Sequence, residues 1–441
     1  MTSKSDHVSY HVDNKTGTAS LPEKTPLINP TKKQTGIGDF ETLMHLLKSS
    51  LGTGILAMPM AFKNAGLLAG LLGTVLIGYI CTYCVHMFVK CAQILCERKT
   101  VEKIGFQKVV ELSFLEGPPA MMKFSRAAGT TVMAALLMEL LGCCCAYVVF
   151  VAKSLKQLVD HYDGHEMDVR FYMLLLVPCL VMTNMGKSLR FITPISVISN
   201  SLFMGGVGVS YYYIFDDLPS IKERPWVVSW HHWPKFFGTA IFAMEGIGTI
   251  MPIENSMKNP KHFIGCPSVL NIGMMILVTL YSITGFFGFL KYGSATDDSI
   301  TFNLPTGDPL GLLLKMVIAL GIFLTYSLLF FASVDLLRDT AVVQRYPENT
   351  FRIWLILFTV VIAALFPNLG PFLTLIGALS LSIVGLIFPP LCEVLVYWHS
   401  PGLGRFNWRL WKNIAIIGFG IVGLITGTMT ALSEFARAYR R

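Results

Sequence analysis

The sequence predicts an all-α polytopic membrane protein of about eleven transmembrane helices, arranged as two inverted five-helix halves plus one extra helix. Three observations carry that expectation. Of 441 residues, 53% are hydrophobic and only 14% charged, with mean hydropathy +0.58, whereas soluble domains average roughly 25% charged. Apolar runs near the ~20 residues that span a bilayer recur along the chain. Two of those runs are interrupted by glycines at corresponding places. A water-soluble globule is excluded, because too few polar residues remain to cover its surface. The net charge of +8 does not speak for nucleic acid; in a membrane protein Lys and Arg report which side a loop occupies.

Residues 1–39 are polar and rich in Ser, Thr, Lys and Pro, with no signal-peptide core, and read as a disordered cytoplasmic tail. The expected spans follow at 41–63, 66–89, 127–152, 170–186, 191–215, 236–257, 267–290, 309–335, 352–366, 372–397 and 413–434. Accordingly 40–217 is the first repeat, 218–235 an outer loop, 236–398 the second repeat, and 399–441 the extra helix with a C-terminal tail. With the N-terminus cytoplasmic, 22 of the 35 Lys and Arg fall on the inner side and 11 on the outer, as the positive-inside bias requires. Arg437, Arg440 and Arg441 then lie outside, against it. All ten cysteines fall in spans or on the inner side, so no outer loop can hold a disulfide. Cys81 and Cys84 share one face of a membrane helix and read as packing. Cys143, Cys144 and Cys145 point in different directions and cannot converge on a metal. No metal and no cofactor are expected.

The two interrupted spans are the informative feature. The first reads KSSLGTGILAMPMAF, with Gly52 and Gly54 in its middle; the sixth reads AMEGIGTIMPIENSM, with Gly246 and Gly248. Each has a proline shortly after, Pro59 and Pro252. They open two halves of five spans, and an odd number of spans per half forces opposite orientations. Glycine lets the backbone unwind, and unwound backbone at membrane depth is tolerated only where it lines a cavity. Half-helix N-termini then offer N–H donors to a carboxylate, and carbonyls accept from a cation. An α-amino acid carries both groups. The candidate substrate set is Ser50, Gly52, Thr53, Gly54, Phe242, Glu245, Gly246 and Gly248.

FETLMHLLKSSLGTGILAMPMAFKNAG at 40–66 and AIFAMEGIGTIMPIENSMKNP at 240–260 resemble the first and sixth helices of the amino acid/auxin permease family. Within it they are most similar to the proton-coupled amino acid transporter branch, in an insect-like version. With GCCCAYVVFVAK in span 3, the similarity extends over about 38–435. The resemblance implies a LeuT-like fold and symport of small neutral amino acids of the alanine, glycine and proline type with protons. It also implies a first-helix histidine tied to proton coupling, which falls on His45. Vertebrate members carry outer-loop cysteines that form a disulfide; none is present here, so substrate range does not carry over.

A charge at bilayer depth costs at least ~2.5 kcal/mol on insertion scales. His45 lies two turns before Gly52, and histidine is the side chain whose unperturbed pKa of ~6.5 suits a modest proton gradient; Lys48 reads as structural. Glu245, beside the second break, and Glu139, near the centre of span 3, are the other candidates for proton coupling. Glu254, Lys315 and Glu393 lie nearer span ends, where snorkelling to the interface is expected. The loop WVVSWHHW reads as an interfacial segment rather than a metal site. Asn14-Lys15-Thr16 is a sequon in the cytoplasmic tail and should be unused. Glu23, Leu27 and Ile28 match an acidic dileucine sorting signal, which implies adaptor proteins at the tail and a late endosome or lysosome membrane besides the plasma membrane. No GxxxxGK[ST], HExxH or GxSxG occurs, so neither nucleotide-driven transport nor an enzyme is expected. The alternatives are an amino-acid-sensing receptor with little flux, and sodium coupling through Thr325, Ser327 and Ser333 of span 8.

Overall fold

The computed structural model describes residues 36–101, 103–163, 167–185, 189–244, 246–265, 268–338, 343, 345–399 and 402–439. The first span is two helices, α1 (Asp39–Ser50) and α2 (Gly54–Ala65). At the start of α1 the Gly38 N–H donates to the Glu41 carboxylate at 3.2 Å and the Thr42 hydroxyl donates to the Gly38 carbonyl at 2.8 Å. Asp39 and Glu41 in its first turn and Lys48 in its last complement the helix dipole.

The first half continues with α3 (Leu67–Lys99), α4 (Phe106–Glu116), α5 (Pro119–Met122), α6 (Ser125–Asp163), α7 (Val169–Asn184) and α8 (Leu189–Phe215). Both α3 and α6 run well past the expected ends at 89 and 152, because backbone hydrogen bonding continues through polar residues that hydropathy counts against a span. The amphipathic α4, which hydropathy passes over, buries Val109, Val110 and Phe114. The second half comprises α9 (Trp233–Ala243), α10 (Ile247–Ser256), α11 (Lys261–Ile264), α12 (Val269–Tyr292), α13 (Pro309–Leu337), α14 (Glu348–Leu365) and a tenth span in three pieces. Those pieces are α15 (Leu369–Ile376), a π-helical stretch over Gly377–Ile387, and α16 (Phe388–Val396); α17 (Trp408–Tyr439) is the extra helix. Among the described residues, eight helical stretches are long and apolar enough to cross a membrane. The remaining expected spans correspond to the broken α1–α2 pair, to α7 and to α8.

The widened tenth span has a cause in the sequence. Pro389 and Pro390 have no N–H, so the carbonyls one turn before them lose their α-helical donors. The Phe388 N–H bonds instead to the Ile383 carbonyl, five residues back, which is π geometry. On the same stretch Gly377 lies against the Gly238 carbonyl of α9 so closely that no Cβ fits between them.

In the core, α6 packs on α13, α4, α7 and α14, and α2 packs on α9 and α12. At the tail-side end, Ile37 forms an isolated bridge with Met257: its N–H donates to the Ser256 carbonyl at 3.0 Å and its carbonyl accepts from the Lys258 N–H at 2.9 Å. Asp39 and His262 add a 2.8 Å contact beside it. At the opposite end, the Lys63 ammonium donates to the Thr296 carbonyl at 2.8 Å and Lys153 pairs with Asp298 at 3.5 Å, tying the 293–303 connection to α2 and α6. The Trp226, Trp230 and Trp233 side chains are exposed on the loop between the halves.

The snorkelling expectation is corrected. Lys315 is 2% exposed and donates to Gln157 at 3.0 Å. Glu254 is buried and accepts from Gln93 at 3.0 Å; Glu393 accepts from Lys412 at 2.6 Å and Asn413 at 2.7 Å. Each group finds its partner on a neighbouring element, which offsets the cost of its burial. Cys143, Cys144 and Cys145 are all buried.

Candidate substrate site between two broken helices

The breaks fall at the glycines. Leu51, which ends α1, has ψ 84°, and the chain re-enters a helix at Gly54. The second break is sharper: Gly246 has φ +143°, a conformation that side chains other than glycine's rarely adopt. The two interruptions face each other. A Cβ built on Gly54 would lie 2.6 Å from the Ala243 Cα, and one on Gly246 would lie 2.6 Å from the Ser50 Oγ. The start of α2 therefore meets the end of α9, and the end of α1 meets the start of α10. Helix starts present N–H groups with partial positive charge, and helix ends present carbonyls with partial negative charge. Both kinds are gathered within a few residues, a complement to a group bearing one charge of each sign.

Side chains from other spans close this centre. The Tyr281 hydroxyl of α12 donates to the Ser50 carbonyl at 2.6 Å. From α6, the Tyr147 hydroxyl oxygen lies 3.8 Å from where a Cβ on Gly52 would stand, and a Glu139 carboxylate oxygen 3.9 Å from the Gly248 equivalent. Glu139 is 4% exposed. The Thr53 Oγ1 is buried and has no hydrogen-bond partner among the described residues. On another side, a mostly apolar cavity of about 30 Å³ is lined by Leu46, Ser50, Cys81, Met244, Gly246 and Met274 among others, room for about one or two waters.

Thus Ser50, Gly52, Thr53, Gly54, Gly246, Gly248 and Glu139 come together. Phe242 is fully buried, its backbone nitrogen against Gly377 of the π-helical stretch. His45 stands on the exposed side of α1 while its neighbour Leu46 lines the cavity; because α1 ends at Ser50, the two-turn spacing to Gly52 does not continue along one helix face. Glu245 and the tail residues Glu23, Leu27 and Ile28 lie outside the described residues. Sequence reasoning missed Tyr281, Tyr147 and the cavity role of Cys81. The one available signal was the tyrosines themselves, since a phenol inside an apolar span needs a partner. In span 8, the Thr325 hydroxyl donates to the Gly321 carbonyl at 2.9 Å and meets Ser199 at 2.6 Å, and Ser333 donates to the Leu329 carbonyl at 2.9 Å. Ser327 Oγ is buried and has no hydrogen-bond partner among the described residues.

Residues 35–433 match the family described as transmembrane amino acid transporter protein. The chain belongs to this family. It is 39% identical over 407 residues to the proton-coupled amino acid transporter-like protein pathetic of Drosophila melanogaster, covering 91% of this chain and 86% of that protein. Similarity to the amino acid transporter AVT3C of Arabidopsis thaliana is 26% over 423 residues, 90% of each chain. Among solved structures, Mhp1 in its inward-facing conformation superposes with a TM-score of 0.54 at 12% identity over 95% of this chain and 96% of that one. Mhp1, a nucleobase-cation-symport-1 family transporter, in a closed conformation with bromovinylhydantoin bound, gives 0.52 at 15% identity over 94% and 95%. The LeuT-like fold rests on these superpositions, and the membership of a transporter family places the chain with multi-pass membrane carriers rather than enzymes.

Proposed function

We propose that this family member is a secondary transporter that carries small neutral amino acids of the alanine, glycine and proline type together with protons. The observation that supports this most is the facing of the two breaks, Gly54 on Ala243 and Gly246 on Ser50, with Glu139 beside Gly248. The substrate carboxylate sits at the first N–H groups of α2 and α10, and the ammonium at the terminal carbonyls of α1 and α9. Backbone so close to the ligand, with only about 30 Å³ beside it, favours small side chains over tryptophan.

Glu139 takes the coupling proton in this reading, being buried beside the second break; His45 and Glu245 are the alternatives from the sequence. The printed name of the Drosophila relative favours protons over sodium. The tail lies in the cytoplasm, and Glu23, Leu27 and Ile28 bring adaptor proteins that direct the carrier between plasma membrane and late endosome or lysosome.

Counterflow and uptake of labelled alanine, glycine, proline and tryptophan in proteoliposomes, with pH and sodium varied separately, test the reading. Expected is uptake of the three small substrates driven by an acidic exterior and unchanged when sodium is replaced. Accumulation that follows sodium alone would overturn proton coupling. Binding without counterflow would favour a sensor.

A further inference from the structure

A second cavity, of about 240 Å³, opens between the end of α13 and the start of α14, far along the chain from both breaks. Its walls include Phe331, Val334, Asp335, Arg338, Glu348 and Arg352. Ligand pockets begin at about 300 Å³, so this one suits a ligand smaller than most. The charges in its wall balance: Arg352 pairs with Glu348 at 2.9 Å and Arg338 with Asp335 at 3.8 Å.

Arg352 is the unusual member. It is 3% exposed, its Nε and Nη2 both donate to Glu348 Oε1, at 3.1 and 2.9 Å, and its Nη1 donates to the Asn184 carbonyl at the end of α7 at 3.0 Å. The Phe331 ring lies 6.0 Å from its Cζ. A guanidinium carries five N–H bonds in a planar fork that matches a carboxylate or phosphate, and these contacts among the described residues use three of them. The start of α14 adds its own N–H groups, since its capping residue is Pro347 and no side chain caps them. Opposite, the Asp335 and Arg338 side chains are 62% and 73% exposed, and their 3.8 Å pair is easily exchanged for ligand contacts.

We propose that this cavity binds a small zwitterion, its anionic group on Arg352 and Arg338 and its ammonium on the Asp335 carboxylate. A polyanion fits less well, because the described wall residues carry no excess of positive charge. A free neutral amino acid and a phosphatidylethanolamine headgroup both have this chemistry. The proposal stands independently of the central site.

The test uses the full-length protein in phosphatidylcholine nanodiscs and equilibrium binding of radiolabelled alanine and leucine. Gly54→Leu blocks the central site through its contact with Ala243. Arg338→Gln changes an exposed side chain with little risk to folding, and Arg352→Lys keeps the charge while losing the fork. Expected is one saturable site in Gly54→Leu, weakened about tenfold or more when either arginine substitution is added. Native mass spectrometry after adding phosphatidylethanolamine identifies the other source: lipid retained by the wild type and lost in Arg338→Gln assigns the zwitterion to the headgroup. If Arg338→Gln alters neither amino acid binding nor lipid retention, the proposal is overturned. A Gly54→Leu protein that keeps every alanine site, with one of them sensitive to Arg338→Gln, would instead count against the central-site reading alone.

Discussion

The phenol of Tyr281 holds the carbonyl of Ser50 at 2.6 Å, so a residue 231 positions along the chain secures the end of α1 where the helix stops. Tyr281 is fully buried. Tyr281→Phe keeps the ring and removes the donor, which for a buried carbonyl costs about 1–3 kcal/mol. Expected is a lower thermal midpoint in detergent with the protein still at the membrane. An unchanged midpoint would show that the bond contributes nothing to the break.

Gly54→Leu should abolish uptake in a protein that still reaches the membrane, because even a Cβ there would stand 2.6 Å from the Ala243 Cα. Gly248→Leu meets Leu136, 3.2 Å from the added Cβ, and should do the same. Gly205→Ala is the control: nothing lies within 4 Å of its added Cβ, and uptake should stay normal. Wild-type uptake in Gly54→Leu and Gly248→Leu would contradict the site.

Proton coupling distinguishes Glu139 from His45. If Glu139 takes the proton, Glu139→Gln should lose accumulation driven by a pH difference while substrate exchange, which moves no net proton, partly survives. Protonation must bias one access state, and one pKa unit between states is ~1.4 kcal/mol, about tenfold in population. His45→Ala, on the exposed side of α1, should accumulate substrate nearly as well as wild type. The reverse pattern would return the role to His45, and loss in Glu245→Gln alone would assign it to the second break.

Replacing Leu27 and Ile28 by Ala should shift the carrier from endolysosomal membranes toward the cell surface, as seen by imaging against compartment markers. An unchanged distribution would leave the motif without a role.

The breaks were legible because glycine is the residue that permits them, and because two of eleven apolar runs carried the same interruption. Which residues face them was not. Tyr281 and Tyr147 are apolar-run residues like their neighbours, and hydropathy carries no information about which side of a span packs inward. His45 illustrates the same gap: spacing along an uninterrupted helix puts it beneath Gly52, whereas α1 ends at Ser50. The partners of Lys315 and Glu393 were not foreseen because proximity to a span end looked like access to water, while Gln157 and Lys412 stand on other spans. The π-helical stretch had a signal in Pro389-Pro390, which was passed over within an otherwise unbroken apolar run.

The bridge between Ile37 and Met257 joins the residue just before the cap of α1 to the residue that follows α10. Two half-helices from opposite repeats thereby form a single lever, with the glycine breaks as its two hinges. Neither arm can tilt without either carrying the other or parting the backbone bonds at Ile37, and Asp39 with His262 stiffens the same joint.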